Sequence, residues 1–188
     1  MPPRDSMYAI AIADSQQALE LDEAFVREVA GRVLAEERVA GAEISVALVD
    51  NPTMRELNRQ YLNHDYDTDV LSFLLDCDES EVPAATEHAP RGAGKRIEGE
   101  IIVSTEMAVQ RAADFGWSSR DEAVLYLIHG LLHLAGYDDL TKPEKELMRQ
   151  RERQLLAIWN LTPGYADEAT GDEEPPHSGP AGTTGVQS

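Results

Sequence analysis

The sequence predicts an α+β fold, in which about five helices cover a small four-stranded mixed sheet, and two observations support this. Four short apolar segments have the length and side-chain pattern of strands, and they are residues 8–13, 43–49, 70–75 and 97–103. Five longer segments carry apolar residues at helical spacing, and they are residues 22–39, 51–62, 104–115, 118–135 and 141–159. Their order is β-α-β-α-β-β-α-α-α without an internal repeat, which is typical of a mixed α+β domain.

Local signals mark where several of these elements begin and end. Asn51 is the expected N-cap of the helix 51–62, with Pro52 at the first helical position. Ser104 is expected to cap the following helix, and Gly136 is expected to end the helix 118–135.

The helix 118–135 is expected to lie at the centre of the fold. Residues 123–128 are apolar on most sides of the helix, whereas a surface helix has only one apolar face. The sequence therefore predicts that this helix is central and buried.

The chain is expected to form one domain with two flanking segments. Residues 8–162 form the domain, and residues 76–96 within it are expected to be a long acidic loop, because prolines and glycines interrupt them. Residues 1–7 are expected to be a flexible N-terminus. Residues 163–188, rich in Gly, Pro and acidic residues, are expected to be a disordered acidic tail.

The charge of the protein restricts how it can bind nucleic acid. The 188 residues carry a formal net charge of −19, which opposes non-specific binding to a polyanion. Ten acidic residues lie in the stretches 76–90 and 166–188, so removing them from −19 leaves −9 for the remainder. Any RNA contact must therefore use a local basic patch or a metal ion.

The cysteine content and the absence of long apolar segments indicate the cellular compartment. Cys77 is the single cysteine, so no intramolecular disulfide can form, which fits a reducing cytoplasm. No apolar run approaches the ~20 residues that span a bilayer, and the first residues lack the apolar core of a secretory signal. We therefore expect a cytoplasmic protein without a membrane partner.

Two histidines on the central helix predict a metal site. His129 and His133 are four residues apart and share one helix face. After the turn at Gly136, either Asp138 or Asp139 can supply a third ligand. Three protein ligands with an open position are typical of a catalytic zinc site.

Other interpretations of the histidine pair are available. Two buried histidines can instead bond to backbone or to each other, although an unsatisfied imidazole on this apolar helix would cost about 1–3 kcal/mol. The metalloprotease motif needs a glutamate after the first histidine, where this chain has Gly130. Two histidines and a carboxylate also occur in ferrous oxygenases, but nothing else in the sequence suggests a co-substrate site.

Three segments resemble the bacterial YbeY-type rRNA maturation factors, which are metal-dependent single-strand endoribonucleases. The first is His129-Gly-x-Leu-His133-Leu-x-Gly136-Tyr137-Asp138. The second is Leu57-Asn58-x-x-Tyr61 with Asp65-Tyr66-x-Thr68-Asp69-Val70-Leu71-Ser72-Phe73. The third is Gly99-Glu100-Ile101 with Val103-Ser104. They occur in the family's order, and the resemblance covers the chain from about residue 8 to 160.

The resemblance implies both a fold and a function. It implies an α+β domain with a small sheet and the metal-binding helix beneath a cleft, and it implies one Zn²⁺ ion as cofactor. It implies RNA and the small ribosomal subunit as partners, with roles in processing the 3′ end of 16S rRNA and in ribosome quality control.

The third metal ligand departs from the family pattern. The family usually has a histidine directly after Gly-Tyr-Asp, and this chain has Asp139. A carboxylate is an ordinary zinc ligand, so His129, His133 and Asp139 are the expected metal ligands. Its oxygen also suits harder ions such as manganese, so another divalent metal can take the place of zinc.

The RNA-contacting motif departs from the pattern as well. Leu62 stands where the family usually has an arginine, and His64 stands where a lysine is common. His64 is a candidate donor or general acid, or else a solvated loop histidine. Glu100, on a strand that borders the expected cleft, is the second catalytic candidate. The remaining candidates, which would bind substrate in place of the missing arginine, are Arg59, Lys95 and Arg96.

Asp69 starts a strand and is expected to have a structural role, because aspartates commonly bond local backbone.

The leading hypothesis is a metal-dependent endoribonuclease. Two alternatives are a non-catalytic ribosome assembly factor with a structural metal and a metal hydrolase of a non-RNA substrate.

Overall fold

The structure, a computed structural model, describes residues 7–83 and 89–165. Its sheet has four strands: β1 (Tyr8–Asp14), β2 (Gly41–Val49), β3 (Val70–Asp78) and β4 (Arg96–Ser104). The strand order is β1-β2-β4-β3, in which β1, β2 and β4 are parallel and β3 is antiparallel to β4. The prediction of a four-stranded mixed sheet is confirmed.

Five helices accompany the sheet, as the sequence predicts. They are α1 (Glu23–Glu36), α2 (Asn51–Leu62), α3 (Thr105–Phe115), α4 (Ser119–Ala135) and α5 (Lys142–Leu156), and a short 3₁₀ turn, Ala157–Trp159, follows α5. None of the helices in the described ranges is long and apolar enough to cross a membrane.

Two helix ends differ from the prediction. Asp50, not Asn51, caps α2: its carboxylate accepts a hydrogen bond from the Thr53 amide at 2.9 Å. Asn51 is instead the first helical residue, and its side chain accepts a 2.6 Å hydrogen bond from Ser104. Helix α1 ends three residues before the predicted boundary, because Arg38 adopts a positive φ of 56° that a right-handed helix does not contain.

The predicted loop 76–96 is shorter than expected, because β3 continues to Asp78 and β4 begins at Arg96. The backbone of residues 76–78 pairs with Arg96–Glu98 after a register shift between Leu74 and Asp76. Strand β3 lies at the sheet edge, where exposed charged side chains are common. The apolar pattern of the strand therefore ends before its backbone pairing does.

Helix α4 packs closely on one face of the sheet. A Cβ at Gly99 of β4 would lie 2.8 Å from the Leu134 side chain, and a Cβ at Gly130 would lie 2.9 Å from Ile101. Only glycine allows this approach, which explains why no glutamate follows His129. The prediction of a central, buried helix is confirmed, since nearly all of α4 is buried.

Candidate metal centre

Three side chains converge where α4 meets the loop that follows it. The Nε2 atoms of His129 and His133 are 3.0 Å apart. The Asp139 carboxylate lies 3.7 Å from each of them, through Oδ2 to His129 and Oδ1 to His133. Each residue offers one ligand atom within 4.8 Å of the others, so this cluster could hold a metal ion.

The second nitrogen of each imidazole has its own partner. His133 Nδ1 lies 3.1 Å from the carbonyl oxygen of Tyr137, and His129 Nδ1 lies 2.7 Å from Glu152 Oε1. A carbonyl only accepts hydrogen bonds, so Nδ1 of His133 carries the proton. An ionised Glu152 also only accepts hydrogen bonds, so Nδ1 of His129 carries a proton as well. In both neutral rings the lone pair is then on Nε2.

The backbone and ring–ring contacts expected of a metal-free histidine pair are both present. With both rings neutral, the two Nε2 lone pairs would repel each other at 3.0 Å, and either a metal ion between them or a proton on His129 Nε2 removes that repulsion. The nearby Asp139 carboxylate adds to the repulsion. In a tetrahedral zinc site two imidazole nitrogens are separated by about 3.3 Å, so a shift of a few tenths of an ångström suffices. The donors therefore fit a divalent ion.

The electrostatics of the two histidines differ. Burial opposes the charged form of His129, but the hydrogen bond and charge of Glu152, with the charges of Asp69 and Asp139, outweigh it and raise its pKa. Burial and the charge of His129 lower the pKa of His133. Negative charge therefore concentrates around His129 and favours a cation there.

Glu152 is the site residue that the sequence analysis missed. It is 2% exposed, and its Oε2 accepts a 2.6 Å hydrogen bond from the hydroxyl of Tyr165. A carboxylate behind a histidine is the usual outer partner of a metal ligand. No sequence signal marks Glu152, because it lies 23 residues after His129 on another helix. Tyr165 falls within the segment assigned to the tail, where Pro163 is also buried.

The turn after α4 separates the roles of the two candidate aspartates. Asp138 Oδ1 accepts hydrogen bonds from the amides of Asp139 at 2.7 Å and of Leu140 at 3.2 Å. Asp138 therefore stabilises the turn, and Asp139 faces the histidines. Arg91 also contacts this turn: its guanidinium lies over the Tyr137 ring at 5.2 Å and donates to the Gly136 carbonyl at 3.1 Å.

A cleft of about 380 Å³ opens beside the cluster, and His129, Asp139 and Glu152 line it. Its walls also carry basic, acidic and aromatic side chains. The basic residues are Arg111, Lys145 and Arg149; the acidic ones are Asp67, Asp69 and Glu122; the aromatic ones are Phe115, Tyr126 and Tyr165. The three basic side chains, from α3 and α5, are called the cationic wall, and they share the cleft lining with five carboxylates.

The other predicted catalytic residues are placed elsewhere. His64 is exposed after α2, and the Tyr66 hydroxyl lies 3.1 Å from its Nδ1. Glu100 is exposed on β4, between Gly99 and Ile101, which face α4. Since side chains alternate along a strand, Glu100 points to the opposite face of the sheet. Neither is among the described residues that line the cleft.

The three basic residues expected to bind substrate are also outside the described cleft lining. Lys95 donates to the Ala135 carbonyl at 3.2 Å and pairs with Glu79, so it supports the C-terminus of α4. Arg59 pairs with Glu56, and Arg96 pairs with Glu81. The cationic wall was missed because its three residues come together only when α3 and α5 pack beside α4.

Asp69 has the local bonds that the sequence predicts. Its Oδ1 accepts from the Val70 amide at 2.8 Å and from Thr68 Oγ1 at 3.3 Å. It also lines the cleft.

The fold and the site define a class of protein: an α+β protein with two histidines and one carboxylate clustered beside a cleft. Comparison with known proteins identifies the family. The family model "Endoribonuclease YbeY" matches residues 11–160, and the chain belongs to this family.

Relatives share most of their length with this chain. Endoribonuclease YbeY of Salinibacter ruber is 40% identical over 156 residues, which cover 83% of this chain and 94% of the relative. That of Clostridium botulinum is 37% identical over 163 residues, covering 81% and 98%. That of Bacillus cereus is 34% identical over 152 residues, covering 80% and 94%. The solution structure of TM1509 from Thermotoga maritima is 23% identical, covers 88% of this chain and 97% of its own, and has a TM-score of 0.48.

Proposed function

We propose that this protein is a metal-dependent endoribonuclease that cleaves single-stranded RNA in rRNA maturation, including the 3′ end of 16S rRNA, and in ribosome quality control. One observation carries the proposal: a set of ligands suited to a divalent ion lies beside a cleft that three basic side chains also line. Membership of the endoribonuclease YbeY family supports the RNA substrate.

His129, His133 and Asp139 are the proposed ligands of one ion, with zinc as the first choice and another divalent metal, such as manganese, as the alternative. A divalent ion in this position would lower the pKa of a water ligand to about 7 and neutralise charge on a phosphoryl oxygen. Carboxylate and imidazole together accommodate both ions.

The protein's own residues supply the rest of the chemistry. Glu152 and the Tyr137 carbonyl hold both imidazoles so that their Nε2 atoms face each other. Arg111, Lys145 and Arg149 line the same cleft and balance the charge of the RNA backbone. They supply local positive charge in a protein of net charge −19, and a bound divalent ion would add to it in a cleft that five carboxylates also line.

The proposed setting is the cytoplasm, with the small ribosomal subunit as the partner. The single cysteine supports a reducing compartment. Burial, with the charges of nearby acidic residues, raises the pKa of Cys77, while Lys95 opposes this, so the thiol is unreactive.

The proposal is tested by metal analysis of the purified protein together with cleavage of a single-stranded RNA. We expect one divalent ion per chain, cleavage that chelation abolishes and the ion restores, and loss of both ion and cleavage in His129→Ala. His64→Ala removes an exposed histidine and is expected to keep its metal.

Two outcomes would contradict the proposal. Protein that holds its ion but cleaves no RNA, and that unfolds on chelation, would favour the assembly factor with a structural metal. Unchanged metal content in His129→Ala would refute the site itself.

A further inference from the structure

Glu122 lies at the end of the cleft away from the metal centre. It is in the first turn of α4, on the same helix face as Tyr126, His129 and His133, because the intervals of four, three and four residues return to one side of a helix. It precedes His129 by seven residues, which is roughly 10 Å along the axis. A group that contacts Glu122 would therefore lie beside the metal centre, not on it.

The Glu122 side chain is buried but incompletely partnered. The residue is 4% exposed and lines the cleft. Its carboxylate interacts with the Tyr126 hydroxyl, whereas Oε2 has no hydrogen-bond partner in the described parts of the chain. Buried acceptors are almost always satisfied, and exceptions often mark functional sites.

The surroundings indicate which ligand would satisfy this oxygen. Asp69 and Arg111 are close enough to influence the charge of Glu122, and both line the cleft. Arg111 is exposed at the rim, where a backbone phosphate can reach it. Phe115, which is partly exposed, adds aromatic surface on which a base can stack. These features together suit a nucleotide that presents a hydrogen-bond donor.

We propose that Glu122 is a specificity-determining residue, whose unpartnered oxygen accepts a hydrogen bond from a nucleotide next to the scissile phosphate. This inference rests on the proposed endoribonuclease function. The donor is either an amino or imino group of the base, as when carboxylates contact cytosine amino groups, or the 2′-hydroxyl of the ribose. Nucleotides without that donor leave Oε2 unpaired and are selected against.

The test crosses protein variants with modified RNA. An RNA that the wild type cleaves is made with single changes in the nucleotides beside the cleaved bond: 2′-deoxyribose, or a base lacking its amino and imino donors. The variants are Glu122→Ala and Glu122→Gln, which keeps the side-chain shape. Asp121→Asn is the matched control, since it removes a charge from the same helix turn at a residue outside the described cleft lining.

We expect the wild type to lose about tenfold in kcat/KM on one modified RNA. Glu122→Ala should lose about tenfold on the unmodified RNA and nothing further on the modified one, Glu122→Gln should lose less, and Asp121→Asn should match the wild type. Loss with 2′-deoxyribose identifies the hydroxyl as donor, and loss with the altered base identifies the base. Metal content and thermal unfolding establish that each variant is intact.

Equal discrimination by wild type and both Glu122 variants would overturn the inference, as would a wild type that distinguishes none of the modified RNAs. A wild type that cleaves no RNA would contradict the proposed function instead. In that case the affinities of the same protein variants for the same RNAs are measured by fluorescence anisotropy. We expect these affinities to follow the pattern given above for kcat/KM.

Discussion

The metal centre and the region around the end of α2 both carry polar residues that the sequence marks as functional, yet they are built differently. At the candidate metal centre, His129 Nδ1 lies 2.7 Å from Glu152, and the Tyr137 hydroxyl donates to Glu37, which pairs with Arg151, 114 residues away in the chain. At the end of α2, Arg59 pairs with Glu56 and His64 contacts Tyr66, both within three residues.

This difference separates a pre-organised site from an exposed surface. The metal-centre partners are buried and fixed by packing between α1, α4 and α5, so their geometry persists without a ligand. The contacts at the end of α2 are exposed and local, and such pairs contribute little to stability. Substitutions in the two regions should therefore have effects of different size.

The largest effect is expected from His129→Ala or His133→Ala. Each removes one of three ligands, so metal affinity should fall by more than the 10- to 100-fold typical of losing an outer-shell partner. Isothermal titration with Zn²⁺ and Mn²⁺ measures this. Affinity within a few-fold of wild type in both variants would show that the ion binds elsewhere.

The next effect is expected from Arg151→Ala. Arg151 Nε donates to Glu37 Oε1 at 2.6 Å, and Glu37 is 1% exposed, so the variant leaves a buried carboxylate uncompensated. The free energy of unfolding should fall by about 3 kcal/mol, as measured by urea denaturation. The double variant Glu37→Leu/Arg151→Met removes both charges and should recover much of that loss. A loss below 1 kcal/mol in the single variant would mean that the pair does not stabilise the fold.

Glu152→Ala is expected to weaken the metal site without removing a ligand. Without its carboxylate the His129 ring loses its orientation and its charge partner, so metal affinity should fall by about 10- to 100-fold. Tyr165→Phe, which removes only the hydrogen bond to Glu152, should have a smaller effect. If Glu152→Ala binds metal like the wild type, the buried network does not position His129.

The smallest effect is expected from Arg59→Ala. Both partners of its ion pair with Glu56 are 58% exposed, so the free energy of unfolding should change by less than about 1 kcal/mol. Metal affinity should not change, because Arg59 is not among the described residues that line the cleft. A loss of metal in this variant would show that the end of α2 contributes to metal binding, which contradicts the difference drawn between the two regions.

The sequence is most informative where one helix determines the geometry. The spacing of His129 and His133 alone places both on one face of α4, and Gly136 predicts the turn that brings Asp139 back. The sheet and five helices follow from apolar periodicity. The helical spacing of seven residues also places Glu122 on the same face of α4 as His129, so the sequence alone predicts that these two side chains share a face.

The rest depends on how the elements pack. Glu152 and Arg111 reach the cleft from α5 and α3, and no local pattern predicts the docking of these helices on α4. Glu100 was expected near the cleft, but the register that sets Gly99 and Ile101 towards α4 turns it away. The sequence does not predict that β3 continues over residues 76–78, because the acidic side chains there break the apolar pattern while the backbone still pairs with β4.

The proposed binding of one divalent ion to His129, His133 and Asp139 can be observed in a crystal structure of the metal-loaded protein with anomalous scattering. We expect one anomalous peak at about 2.0–2.2 Å from both histidine Nε2 atoms and an Asp139 oxygen, with Glu152 still bonded to His129 Nδ1. A peak elsewhere, or two histidines still in direct contact in protein that retains its ion, would contradict it.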